Sequence, residues 1–232
     1  MRLGGLQKMT LLDFPGRVAC TVFTVGCNFR CPFCHNSSLV VTPEVPEFPQ
    51  DDFFAFLEKR RGLLDGVAIT GGEPLLHPDM PTFLRRIRAL GYAVKLDTNG
   101  AFPDRLAAVL EAGLVDYVAM DVKNSKEKYE RTAGVAGILP NVERSVELLR
   151  AGKTPFEVRT TLVDELHELE DFAAIGQWLV GTERYFIQGF VDSGDILGGG
   201  DSFHAASPEK AKACLEAVKA YIPNAKLRGV EA

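Results

Sequence analysis

Residues 19–36 read ACTVFTVGCNFRCPFCHN. The first seven are apolar or β-branched, the composition of a buried strand. That strand runs into a loop carrying Cys27, Cys31 and Cys34 in a C-x3-C-x2-C pattern, three of the five cysteines in the chain. An odd cysteine count in a chain of 232 residues argues against a disulfide framework, and thiols this dense point to metal or redox chemistry. Three thiolates can hold three irons of a cubane cluster and leave the fourth iron open to bind a small molecule. The other reading is structural zinc with His35 as fourth ligand. Adjacent Cys34 and His35 would struggle to reach one tetrahedral ion together. Thiolate sites suit both groups, so the spacing favours the cluster and leaves zinc open.

Outward from this stretch the same pattern of strand, polar turn and helix recurs. Residues 66–70 (GVAIT) predict a strand that ends in Gly71-Gly72-Glu73-Pro74. Residues 92–96 predict the next, ending in Asp97-Thr98-Asn99-Gly100, and 115–120 the one after, ending in Asp121-Val122-Lys123. Strands at 156–162 and 184–190 and a short final one near 226–230 complete the set. Helices are predicted at 50–61, 79–90, 103–112, 141–151, 168–180 and 208–221, several stopped by glycine. The result is six βα units, an α/β chain with a parallel sheet and right-handed crossovers. Upstream, Leu3, Leu11, Val18, Cys20, Val22 and Phe23 supply a short strand pair around the turn Asp13-Phe14-Pro15-Gly16. Between 39 and 50, Pro43, Pro46 and Pro49 break any helix and predict an irregular stretch. With no linker or repeat, one domain spans 1–232: an extension at 1–18, a βα core at 19–222 and a tail at 223–232.

A formal charge of −5 supplies no basic face for nucleic acid. No apolar run approaches the roughly 18 residues that span a bilayer. The first twenty residues lack the pattern of a signal peptide, so a cytoplasmic location is expected.

The polar residues at successive strand ends are the candidate binding groups. Paired glycines at 71 and 72 let a ligand approach the backbone, and Glu73 is an acceptor suited to an ammonium group; alone, the motif reads equally well as a tight turn with an exposed glutamate. DTNG is by itself an ordinary turn, and Asp121 with Lys123 could be a surface ion pair. Two such clusters at neighbouring strand ends fit a site for ribose hydroxyls and a zwitterionic amino acid. Arg159, costly to bury unpaired, is read as a carboxylate partner of the ligand, against a salt bridge to Glu157 or to a carboxylate at the strand ends. Cys20 and Cys214 read as core residues, and Trp178 as a core anchor. His77 is expected to start a helix, and His167 and His204 to lie in loops or caps. Gly198-Gly199-Gly200 reads as a flexible connection that could meet a partner.

Between Gly4 and about Lys123 the sequence resembles the radical S-adenosylmethionine (SAM) enzymes, on CNFRCPFC, TGGEP, KLDTNG and AMDVK. Within them Asp13-x-Pro15-Gly16 and Cys34-His35-Asn36 resemble the activating enzymes of glycyl-radical proteins, above all those of anaerobic ribonucleoside-triphosphate reductase. The resemblance implies a partial (β/α)6 TIM-like barrel with the cluster loop after its first strand. It implies a [4Fe–4S] cluster on Cys27, Cys31 and Cys34 whose open iron chelates SAM. Phe33 would lie beside the adenine, and Gly71, Gly72, Glu73 and Pro74 would hold the methionyl amino group. Asp97, Asn99, Asp121, Lys123 and Arg159 would complete the SAM site, with a monovalent cation near Asp97, Thr98 and Asp121. The implied partners are the glycyl-radical reductase and an external electron donor, flavodoxin or ferredoxin. The family's adenine-side histidine has no counterpart near Gln188, Gly189 and Phe190, so that contact stays unassigned.

Overall fold

The computed structural model describes residues 1–41, 47–192, 196–199 and 202–230. Eight strands form one sheet in chain order: β1 (Leu3–Thr10), β2 (Ala19–Thr24), β3 (Gly66–Gly71), β4 (Ala93–Thr98), β5 (Tyr117–Asp121), β6 (Phe156–Leu162), β7 (Tyr185–Gly189) and β8 (Lys226–Arg228). β1 pairs antiparallel with β2, and every later neighbour pair is parallel. The parallel pairs follow from the helices between them, because two parallel strands need a crossover and not a tight turn. β1 and β8 end the order without pairing with each other, so the barrel is partial and open.

The helices are α1 (Ser37–Val41), α2 (Gln50–Lys59), α3 (Met80–Ala89), α4 (Pro103–Glu111), α5 (Tyr129–Ala133), α6 (Leu139–Ala151), α7 (Leu169–Trp178) and α8 (Pro208–Lys219), with a 3-10 turn at Pro74–Leu76. α3 shows why they pack on the sheet: Met80, Phe83, Leu84 and Ile87 recur at helical spacing and are all buried. Phe53 and Phe54 of α2 meet Phe83 with ring centroids 5.4 and 5.3 Å away. α7 starts at a capping box in which Glu168 and Asp171 each accept from the other's backbone N–H. No described helix is long and apolar enough to cross a membrane.

The turn between β1 and β2 closes the N-terminal edge of the sheet. Thr10 Oγ1 accepts from the Leu12 and Asp13 N–H groups, and the Thr21 hydroxyl donates to Asp13 at 2.5 Å. This folds Phe14 inward, 2% exposed, against Tyr117 with ring centroids 6.3 Å apart. A Cβ on Gly66 would stand 2.8 Å from the Phe14 ring, so glycine makes room for the plug. The cysteine loop leaves the other end of β2, on the C-terminal edge.

Several sequence expectations change. Leu11 is not a strand position but lies beyond β1, 68% exposed, because the turn that buries Phe14 points it outward. The stretch expected to be irregular after Asn36 begins with helix α1, short enough to finish before Pro43; residues 42–46, including Pro43 and Pro46, lie outside the described residues. α5 and the 3-10 turn were not anticipated, being too short to show periodicity. His77 does not open α3; it closes the 3-10 turn, and Asp79 takes the N-cap position of the helix without a side-chain capping bond.

Candidate cofactor site

Cys27, Cys31 and Cys34 come together on one wall of a cavity of about 280 Å³ at the C-terminal edge. Its other walls are strand ends: Gly71 and Gly72 after β3, Asp97, Thr98 and Asn99 at β4, Asp121 and Lys123 at β5, Arg159 and Thr161 of β6, and Gln188 of β7. Phe33 faces the same space and is 5% exposed. Parallel strands put residues i and i+2 on one face, which is why Arg159 and Thr161 arrive together.

All three thiols are free of disulfides. Phe29 N–H and Asn99 Nδ2 donate to Cys27 Sγ at 3.4 and 3.9 Å, the kind of contact that steadies a thiolate ligand. Burial pushes the Cys27 thiol up to about 11 and the Cys31 thiol up to about 12. They are therefore protonated at neutral pH until a metal displaces the protons. Among the described residues no three or more His, Cys, Asp or Glu side chains gather as a single ion requires. A three-thiolate iron–sulfur cluster, whose ligands stand apart around a larger group, suits this wall better than one zinc ion.

The floor is a chain of alternating charge. Lys95 pairs with Asp97, Asp97 accepts from Arg159 Nη1 at 3.2 Å, Arg159 Nε donates to Asp121 at 2.9 Å, and Lys123 donates to Asp121 at 3.1 Å. Burial alone would raise the Asp121 carboxyl, but Arg159 and Lys123 hold it well below the usual carboxylate range. Burial likewise opposes the Lys123 charge, and Asp121 outweighs it, holding the ammonium above its ordinary value. Three cations against two carboxylates leave one excess positive charge beside the cavity, a match for a ligand carboxylate.

Some assignments move. Glu73 is neither an exposed turn residue nor a wall of the cavity: it is fully buried and accepts from Leu75 N–H, Thr98 Oγ1 and Asn99 N–H at 2.9, 2.9 and 2.7 Å. Burial pushes its carboxyl up to about 7 against these donors. Pro74 is buried in the 3-10 turn behind it. The two glycines alone bring this motif to the cavity. The monovalent cation expected near Asp97, Thr98 and Asp121 finds its ligands taken: Lys95, Arg159 and Lys123 neutralise the carboxylates and Thr98 donates to Glu73. Arg159 lines the cavity but spends itself on strand-end carboxylates, while Glu157 pairs with Arg228 at 3.0 Å. Lys95 and Thr161 were missed; each sits two residues from a named charge on the same strand, the signal that strand parity carries. Gln188 does reach the cavity. Cys20 and Cys214 are fully buried away from it.

Residues 21–178 match the family model described as the radical SAM superfamily. A Methanocaldococcus jannaschii protein that carries the provisional name glycyl-radical enzyme activating enzyme is 30% identical over 81% of this chain and 79% of its own length. A 7-carboxy-7-deazaguanine synthase of Methanopyrus kandleri is 31% identical over 75% of this chain and 74% of its own. Among solved structures, Streptococcus suis SuiB bound to S-adenosylmethionine superposes on 90% of this chain with a TM-score of 0.68 at 14% identity. The chain spans about half, 49%, of that SuiB chain.

Proposed function

We propose that this chain, which belongs to the radical SAM superfamily, cleaves S-adenosylmethionine reductively at a [4Fe–4S] cluster on Cys27, Cys31 and Cys34 and installs a glycyl radical on anaerobic ribonucleoside-triphosphate reductase. The observation that carries the reading is the convergence of the three cysteines and five strand ends on one cavity. A cluster held by Cys27, Cys31 and Cys34 would supply one electron to the sulfonium of S-adenosylmethionine, with methionine and 5′-deoxyadenosine as products and the hydrogen atom of the latter drawn from the partner's glycine.

The protein's own work is binding, orientation and shielding. Gly71 and Gly72 line the cavity, and their backbone is the proposed acceptor for the ligand's ammonium group; their missing side chains let the end of β3 pack against the Thr24 and Gly26 backbone. Arg159 and Lys123 line the cavity while paired with Asp97 and Asp121, and the net positive charge of that chain is what draws the ligand carboxylate to this wall. Phe33 offers a flat apolar surface to the adenine, with Gln188 on the far strand as a polar partner. Asn99 is held by Glu73 through its N–H and in turn donates to Asn28 at 2.9 Å, which ties the cysteine loop to the end of β4.

The sheet stays open between β1 and β8, and that side is the proposed entrance for a peptide loop of a protein substrate. An external flavodoxin or ferredoxin is the proposed electron source, since Cys20 and Cys214 are buried singly in the core. The test is anaerobic reconstitution with SAM, reductant and the reductase. A glycyl-radical signal in electron paramagnetic resonance is expected; its absence with a competent partner overturns the reading. The deazaguanine synthase relative, of similar identity, favours a second reading with a small-molecule substrate, which sustained turnover of a metabolite without any protein partner would establish.

A further inference from the structure

The cysteine loop touches three other loops through three glycines, and each contact lands on a carbonyl beside a ligand position. At its start, a Cβ on Gly72 would stand 2.0 Å from the Gly26 carbonyl oxygen, and Glu73 N–H donates to that same oxygen at 2.8 Å. In the middle, a Cβ on Gly134 would stand 2.3 Å from the Arg30 carbonyl oxygen, while Arg30 N–H donates to Ala133 O at 2.9 Å. Near its end, a Cβ on Gly198 would stand 2.8 Å from the Phe203 ring and 2.9 Å from the Pro32 carbonyl oxygen, to which Gly198 N–H donates at 2.7 Å. Leu197 N–H adds a bond to Cys34 O at 3.3 Å. The three glycines follow β3, β5 and β7, so they press on the loop from separate parts of the sheet edge.

We propose that Gly72, Gly134 and Gly198 form a cradle that fixes the spacing of Cys27, Cys31 and Cys34 before the cluster binds, and that Gly134 and Gly198 are positioning residues for it. The proposal rests on reading the three cysteines as cluster ligands. Its physical basis is steric. A side chain at any of the three points meets backbone, which cannot swing aside as a rotamer can, so the loop itself must move. Displacing Arg30 or Pro32 shifts a cysteine one or two residues away. Gly198 is thereby a docking point and not merely part of a flexible connection.

The chain supplies its own control. Gly134 and Gly137 have nearly the same left-handed backbone, φ 68° and 71°, but a Cβ on Gly137 meets nothing within 4 Å. Alanine at either site carries the same conformational strain, and only Gly134→Ala also strikes the cysteine loop. Gly198 is outside the left-handed region, so Gly198→Ala tests contact without that strain. Wild type, G134A, G198A and G137A are reconstituted with iron and sulfide under anaerobic conditions. Iron content, the rate of iron loss to a chelator, the spectrum of the reduced cluster and the thermal midpoint of each apoprotein are then measured. G134A and G198A are expected to lose iron about tenfold faster than wild type, the scale of a disturbed supporting shell, with altered cluster spectra; G137A should match wild type in both. Equal iron retention and identical spectra in all four overturn the cradle while leaving the cluster reading intact. A wild type that takes up no cluster overturns both. If G134A alone unfolds, G198A against wild type decides by the same two readouts.

Discussion

Replacing Glu73 with glutamine probes the strut that joins the end of β3 to the end of β4. Glu73 is fully buried, with Oε1 receiving Leu75 N–H and the Thr98 hydroxyl and Oε2 receiving Asn99 N–H. Glutamine keeps one oxygen and turns an NH2 group toward the remaining donor, a mismatch that costs about 1–3 kcal/mol. The protonated acid avoids it by swinging its single hydrogen aside. Burial raises the carboxyl from 4.5 to about 7, so the folded chain holds this proton more tightly than the unfolded one. The stability that follows is fully present below pH 4.5 and is lost as pH rises through 7. Over that window the wild type gives up about 3–4 kcal/mol at roughly 1.4 kcal/mol per pH unit, and the always-neutral glutamine gives up none of it. E73Q should therefore be the less stable protein at pH 5 and close or reverse the gap by pH 8. Urea denaturation of the two apoproteins at pH 5, 6, 7 and 8 reads the difference, in which other titrating groups cancel. A gap that stays constant or widens with pH refutes the buried, proton-retaining strut.

Two further substitutions separate the floor from the plug. Arg159→Leu leaves Asp97 and Asp121 short of a shared partner and should destabilise the chain by about 3–5 kcal/mol and weaken SAM binding, both read by denaturation and equilibrium titration on the reconstituted protein. Phe14→Ala empties the N-terminal plug and should cost about 3–5 kcal/mol, yet leave SAM affinity unchanged; a loss of affinity would contradict its placement at the far edge of the sheet.

The sheet was legible because its signal is repeated. β6 falls where the β-branched run 156–162 predicts it, and each remaining parallel strand is recovered within a few residues, because apolar runs bounded by glycine and helix caps recur along the chain. The cysteines and the strand-end motifs were legible because spacing alone joins them to the C-terminal edge. What escaped depends on contacts between distant segments. Glu73 looks like a turn residue until Thr98 and Asn99 are brought beside it. Asp97 and Asp121 look like cation ligands until Lys95 and Arg159 fold between them. Asp13-x-Pro15-Gly16, which helped to narrow the family, lies at the opposite edge from the cysteines and acts by burying Phe14. Gly134 reads locally as no more than a glycine ending the short α5 in a left-handed turn; Arg30, far away in the chain, shows why a side chain there would also strike the cysteine loop.

The central claim is tested most directly by SAM cleavage. The anaerobically reconstituted protein is reduced with dithionite, given SAM and assayed for 5′-deoxyadenosine and methionine. The account predicts both products in equal amounts, lost in each of C27A, C31A and C34A and retained in C20A. A protein that holds its full complement of iron and sulfide yet forms neither product, or a C31A variant that cleaves as well as C20A, would contradict it.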